Sequence, residues 1–167
     1  MLWLLSDARN DTTIEEALRA LPRGSGFVFR HYHLDPAARY ARFTALADLA
    51  RQCGHVVILS GAQDWGADGH YGPPRSLGAG LRLATAHDGA ELQAAIAAGA
   101  DGIFLSPVFA TASHPGAATL GVHGFHVLAQ QSPVPVIALG GMTHERARDL
   151  DWPRWGAIDG LASAKVA

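Results

Sequence analysis

The chain has 167 residues, 49% hydrophobic and 17% charged, with 13 basic against 15 acidic side chains, which fits one globular domain and excludes a disordered chain or a nucleic-acid partner held by bulk charge. Its longest apolar stretch, Ala90 to Ala110, is broken by Glu91 and Asp101, and the apolar start Met1 to Leu5 lacks a basic flank, so neither a membrane span nor a signal peptide is expected. The single cysteine, Cys53, excludes an internal disulfide or thiolate cluster and agrees with a cytoplasmic location, and the single lysine, Lys165, makes Schiff-base chemistry a poor candidate.

Eight β-branched or apolar runs are predicted strands: Leu2–Ser6, Gly26–Tyr32, His55–Ser60, Asp68–Tyr71, Leu81–Ala86, Gly102–Val108, Val134–Leu139 and Trp155–Leu161. Between them Thr12–Leu21, Pro36–Gln52, Gly89–Ala98, Val122–Gln130 and Thr143–Leu150 repeat apolar residues at helical spacing. The Thr12-Thr13-Ile14-Glu15-Glu16 stretch reads as a capped helix start, and Asp35 before Pro36 reads as another. Strand and helix in alternation imply parallel strands joined by right-handed crossovers, in an open doubly wound sheet or a closed barrel. Eight strands favour a single α/β domain over 1–167, a compact (β/α)8 TIM barrel. Such barrels usually need at least about 200 residues, and the shortage falls at 62–66, 73–80 and 162–167, where helices are shortened or missing.

In either architecture ligands bind beyond the carboxyl ends of the strands. Those positions here are polar: Asp7 and Arg9; Arg30 to His33; Ser60 and Gly61; Thr85, His87 and Asp88; Ser106 to His114; and Gly140 to Thr143. The run Val134 to Leu139 leads straight into Gly140-Gly141 and a threonine-capped helix, so backbone amides there can approach a phosphate; the plainer reading is a tight turn. Thr111, Ser113 and His114 follow a buried strand and can donate hydrogen bonds to phosphate oxygens. Period-two alternation puts Val28, Arg30 and Tyr32 on one strand face, inward, and Phe27 and Phe29 on the other.

The segments Leu2-Trp3-Leu4-Leu5-Ser6-Asp7, Gly99-Ala100-Asp101-Gly102 through Thr111-Ala112-Ser113-His114, and Pro135-Val136-Ile137-Ala138-Leu139-Gly140-Gly141-Met142 resemble thiamine phosphate synthase and the related thiazole tautomerases, most densely from Leu81 to Leu150. The resemblance implies a (β/α)8 barrel of thiamine biosynthesis, a transferase joining a pyrimidine methyl pyrophosphate to a thiazole phosphate, with pyrophosphate leaving and magnesium assisting. It also implies site residues. A second-strand Gln-x-Arg-x-Lys pattern is met only at Arg30, with Val28 and Tyr32 alongside. Thr85 and His87 approximate a serine and a histidine after the fifth strand, and Thr111, Ser113 and His114 approximate a Thr-x-Thr-Lys loop. Both magnesium ligand positions depart from the pattern: Ser60-Gly61 replaces an Asn-Asp pair, and Arg75 falls where an acidic residue is expected.

Arg30, His87 and His114 are the catalytic candidates; Tyr32, Arg75, Thr85, Thr111, Ser113, Gly140 and Gly141 are candidates for holding substrate, and no metal ligand is assigned. Arg75 is read either as a cation replacing the missing metal or as a surface arginine in a Pro-Pro turn. The eighth strand is placed at Trp155–Leu161, with Asp159-Gly160 near the phosphate, in preference to a match at Ser163-Ala164. His123 and His126 are expected on a solvated helix face, and His31 and His33 lack a third ligand at recognisable spacing. Expected partners are small phosphorylated heterocycles, with a homo-oligomer left open. A metal-free tautomerase-like isomerase and a non-catalytic phosphometabolite-binding barrel are the competing readings; magnesium dependence separates the first from the transferase, and any turnover removes the second.

Overall fold

The structure is a computed structural model and describes residues 1–111, 116 and 118–161. Eight strands, β1 (Leu2–Leu5), β2 (Gly26–Phe29), β3 (Val56–Ser60), β4 (Gly69–Gly72), β5 (Leu81–Ala86), β6 (Gly102–Leu105), β7 (Val136–Ala138) and β8 (Trp155–Ala157), follow one another around a closed barrel. Every pairing is parallel, and Leu2 opposite Trp155 with Trp3 opposite Gly156 joins β8 back to β1. That closure removes the open sheet. Among the described residues five helices pack outside: α1 (Ile14–Ala20), α2 (Pro36–Gln52), α3 (Gly89–Ala97), α4 (Gly121–Ala129) and α5 (His144–Leu150). No α-helix follows β3 or β4; a single 3-10 turn, Pro74–Ser76, lies between β4 and β5, which is how a chain this short closes a barrel.

Alternation along the strands sorts the core into two layers. Trp3, Leu5, Val28, Ile58, Leu83, Phe104 and Ile137 fill the barrel interior. Leu4, Phe27, Phe29, Val57 and Leu59 point outward against Ile14 and Leu18 of α1 and Phe43 and Leu46 of α2. The expected faces of β2 are therefore the observed ones. Toward the amino end of the strands, Trp3 lies where neighbouring strands carry glycine: a Cβ on Gly26 would meet the indole, Cδ2 at 2.6 Å, and one on Gly156 would meet Trp3 Cβ at 3.0 Å.

Strands stop earlier than their apolar runs suggest. β2 ends at Phe29 and His31 takes a φ of 36°; β6 ends at Leu105, and Pro107 just beyond has no N–H for a ladder. Asp35 caps α2 as expected, accepting from Ala37 and Ala38 N–H at 3.0 Å. Thr13 occupies the N-cap position of α1 without a side-chain cap bond, its hydroxyl donating instead to the Asn10 carbonyl at 3.3 Å.

Candidate active site

The carboxyl ends of the strands open into one cavity of about 950 Å³. Tyr71 and Leu139 pack on the inner core and line its base, and Tyr71 meets Phe104 edge-on at 5.2 Å between centroids. Burial pushes the Tyr71 phenol up to about 12, against the nearby Arg30 charge, so at neutral pH it is a hydroxyl donor.

Gly140 and Gly141 line one wall. Their φ values are 93° and 62°, in the region that favours glycine. Space is also tight: a Cβ on Gly140 would meet Pro107 Cα at 2.6 Å, and one on Gly141 would collide with the Ala110 carbonyl. The loops after β6 and β7 thus pack backbone to backbone, with Val108 N–H donating to the Leu139 carbonyl at 2.9 Å and Phe109 N–H to the Gly140 carbonyl at 3.1 Å. Thr143 caps α5 by accepting from Arg146 N–H at 3.2 Å, and the Arg146 guanidinium returns to the Gly141 carbonyl at 2.5 Å and lies over the Phe109 ring.

The wall beyond β8, β1 and β2 is ionic. Asp7, just past β1, holds two arginines: Arg9 Nε at 3.0 Å and Arg30 NH2 at 3.5 Å. Arg9 also reaches Asp159 beyond β8 at 3.1 Å. Burial favours the protonated form of Asp7, but hydrogen bonds from the Arg9 side chain and backbone, with the charges of Arg9 and Arg30, outweigh it and hold the pKa below the ordinary value. Asn10 fixes this corner, donating to the Leu5 carbonyl at 3.0 Å and the Ile158 carbonyl at 2.9 Å while accepting from Asp7 N–H at 2.9 Å.

The structure brings most of the predicted residues to this cavity. Arg30, Tyr32, Thr85, His87, Thr111, Gly140 and Gly141 all line it. Tyr32 shares a hydrogen bond with Ser60, and His87 Nδ1 pairs with Glu91 at 2.7 Å. Arg75 is exposed on the 3-10 turn and outside the lining, which favours the surface-arginine reading: the prolines at 73 and 74 set up a superficial turn. Ser113, His114, Ser163 and Ala164 lie outside the described residues. Two expectations about histidines are corrected. His126 is half-buried, donating from Nε2 to the Leu150 carbonyl at 2.7 Å and packed against Trp152. His31 and His33 do meet a third group, since Asp11 brings a carboxylate whose oxygen, with the two imidazoles, forms a set of ligand atoms within 4.8 Å.

Sequence reasoning missed Arg39. It is buried among aromatics, over the Phe29, Tyr32 and Trp65 rings, and donates to the Arg30 carbonyl at 2.9 Å and the Ser60 carbonyl at 2.5 Å. Burial lowers its pKa and Tyr32 opposes the shift. The signal was present: Arg39 stands four residues before Phe43 on the stripe that Leu46, Ala47 and Ala50 continue, the place of an apolar residue on an amphipathic helix.

A magnesium ion held as the resemblance implies does not fit these residues. At the third-strand position the Ser60 hydroxyl is engaged with Tyr32 and donates to the Tyr71 carbonyl at 3.2 Å. Gly61 supplies no side chain, and a Cβ there would meet Gln63. Among the described residues, the cavity's carboxylates are Glu145 and Asp159, and Asp159 is tied to Arg9. A hard divalent cation seeks several carboxylate or carbonyl oxygens, and the groups gathered here are mostly guanidinium.

A closed eight-stranded parallel barrel with its polar cavity at the carboxyl ends of the strands has the layout of (β/α)8 enzymes. The family described as thiamine monophosphate synthase matches residues 75–153. Thiamine-phosphate synthase from Chloroflexus aurantiacus is 32% identical over 180 residues, covering 98% of this chain and 81% of the relative; that from Bordetella pertussis is 35% identical over 150 residues, covering 76% and 69%. Thiamine phosphate pyrophosphorylase from Pyrococcus furiosus shares the fold, with a TM-score of 0.81 at 21% identity over 98% of this chain and 88% of that one. The chain belongs to the thiamine monophosphate synthase family.

Proposed function

We propose that this chain acts in the cytoplasm as a thiamine-phosphate synthase, joining a pyrimidine methyl pyrophosphate to a thiazole phosphate. The observation that carries the reading is that the Gly140-Gly141 turn and the Arg30 guanidinium face one cavity, large enough for two heterocycles bound together. In the reaction the bond from the methylene carbon to the pyrophosphate oxygen breaks, and its electron pair leaves on pyrophosphate. The lone pair of the thiazole nitrogen forms the new carbon–nitrogen bond, so no proton need move. Negative charge gathers on the leaving group, and Arg30 with Arg9 meets it as fixed cations. The amides of Gly140 and Gly141 and the Thr111 hydroxyl hold the thiazole phosphate. Tyr71 at the base offers a phenol donor to the pyrimidine ring, and Tyr32 is an exposed aromatic at the mouth.

Incubating the protein with both substrates and following thiamine phosphate and pyrophosphate tests this. Product is expected with excess EDTA as well as with magnesium, because the positions implied for metal ligands, Ser60-Gly61 and Arg75, offer no carboxylate and the charged groups lining the cavity are mostly guanidinium. Absence of product under both conditions refutes the reading. A second reading, isomerisation of the thiazole phosphate, is favoured by the His87–Glu91 pair at the cavity, which can carry a proton. Turnover of thiazole phosphate alone, lost in His87→Gln, would select it.

A further inference from the structure

Arg30 is held at both ends of its peptide unit as well as by its head group. Arg39 donates to its carbonyl, Asp7 faces its guanidinium, and its N–H donates to Ser6 Oγ at 2.7 Å. From Ser6 a chain of hydrogen bonds runs away from the cavity. Ser6 Oγ meets His31 Nδ1 at 2.7 Å, and His31 Nε2 meets Asp11 Oδ1 at 2.7 Å. Ser6 and His31 are buried, and Phe29 stacks on the imidazole at 4.8 Å with planes 5° apart.

The direction of each proton follows. An ionised carboxylate only accepts, so His31 Nε2–H donates to Asp11; Nδ1 is then the acceptor, the Ser6 hydroxyl donates to it, and the Ser6 oxygen accepts from Arg30 N–H. Asp11 also takes Arg42 Nε at 2.9 Å, and Arg42 continues to Glu15 at 2.6 Å. A metal ion on the Asp11, His31 and His33 set would need the Nε2 lone pair. That would place a proton on Nδ1, turn two donors onto the Ser6 oxygen and leave the buried Ser6 hydroxyl without its acceptor. The proton order therefore favours a hydrogen-bond relay over a metal.

We propose that Ser6, His31 and Asp11 are positioning residues that fix Arg30 at the cavity wall, so that anion binding by Arg30 depends on a buried relay outside the cavity. The inference rests on Arg30 contacting the pyrophosphate. His31 supports it a second way: its φ of 36° is one that residues with a Cβ rarely adopt, and hydrogen bonds at both ring nitrogens secure it. This turn ends β2 immediately after Arg30.

A double-mutant cycle reads the relay, with inorganic pyrophosphate as the probe in titration calorimetry. Ser6→Ala is expected to weaken binding about tenfold, and Ser6→Thr, which keeps the hydroxyl, to restore most of it. In an Arg30→Gln background, Ser6→Ala should cost little more, because the contact through which it acts is gone. His31→Asn, whose side chain tolerates a left-handed backbone, serves as a second probe should Ser6→Ala fold poorly, and is expected to show the same dependence on Arg30. Equal losses in both backgrounds, or unchanged affinity in the single variants, overturn the relay while leaving the proposed anion site standing. Unchanged affinity in Arg30→Gln itself overturns the anion role of Arg30, and the relay with it.

Discussion

Replacing Arg39 by methionine keeps an unbranched, flexible apolar stem and removes the guanidinium with its charge. The guanidinium donates to the Arg30 carbonyl just past β2 at 2.9 Å and to the Ser60 carbonyl at the end of β3 at 2.5 Å, from a residue only 8% exposed. Hydrogen bonds to charged donors contribute about 1.5–3 kcal/mol each, and a buried acceptor left alone costs about 1–3 kcal/mol. Against this, methionine has no charge to desolvate, so the lower end applies to each. The net is a loss of about 3 kcal/mol, or about 6–12 °C in melting temperature for a chain of this size. The same carbonyls belong to the residues that carry the Arg30 side chain and the Ser60–Tyr32 hydrogen bond, so pyrophosphate affinity should fall along with stability. Thermal melts and calorimetry on one preparation measure both. A loss below about 1 kcal/mol, the range of an exposed ion pair, would show that Arg39 does not brace the strand ends.

Gly140→Ala should destabilise the fold by about 2–3 kcal/mol, combining a left-handed backbone with contact against Pro107, and abolish thiazole phosphate binding; an unchanged melt would deny the close approach of the two loops. Tyr71→Phe should leave the phenol absorbance titration unchanged through the usual range near pH 10, because the Tyr71 hydroxyl is held up at about 12. The pKa of His31 is lowered, first by burial, with the Asp11 contact opposing; its contribution to stability is therefore complete above the ordinary 6.5 and lost as pH falls through the lowered folded value. The carboxyls of Asp7 and Asp11 are also lowered, and theirs is lost only below the ordinary 3.8. Melting temperature against pH should thus fall in two acid-side steps, and His31→Asn should remove the upper one and, because His31 helps lower Asp11, shrink the lower.

The barrel was legible because its signal is local. Each strand carries its own alternation, and β2 alone divides Val28 from Phe27 and Phe29 as the structure does. Residues at strand ends, such as Thr85, Thr111 and Gly140, could be assigned to the cavity because barrel geometry sends every carboxyl end to the same face. The partnerships could not be read. Asp7 joins Arg9 and Arg30 and Asp11 meets His31 twenty residues away because β1 and β2 pair side by side, and Arg9 reaches Asp159 only because the barrel closes. Arg39 escaped notice because a helical period marks a face without saying that a cation belongs on it. Arg75 stayed open between site and surface in the sequence, because its position along the chain suggested the first and the Pro-Pro turn the second; the turn leaves it exposed and outside the cavity lining.

The Trp3 indole and the glycine it covers bear on how such a chain can diverge. Gly26 is small because the Trp3 ring occupies the volume its side chain would need, so the two positions form one unit of inheritance. A lineage that shrinks the tryptophan first opens a void of a size that costs about 3–5 kcal/mol, and one that enlarges the glycine first drives a methyl into an aromatic ring. Either order passes through a poorly folded ancestor. Drift at the amino end of this barrel should therefore be slow and concerted, whereas exposed loop positions at the other end, away from the tight contacts of Gly140 and Gly141, can change one residue at a time.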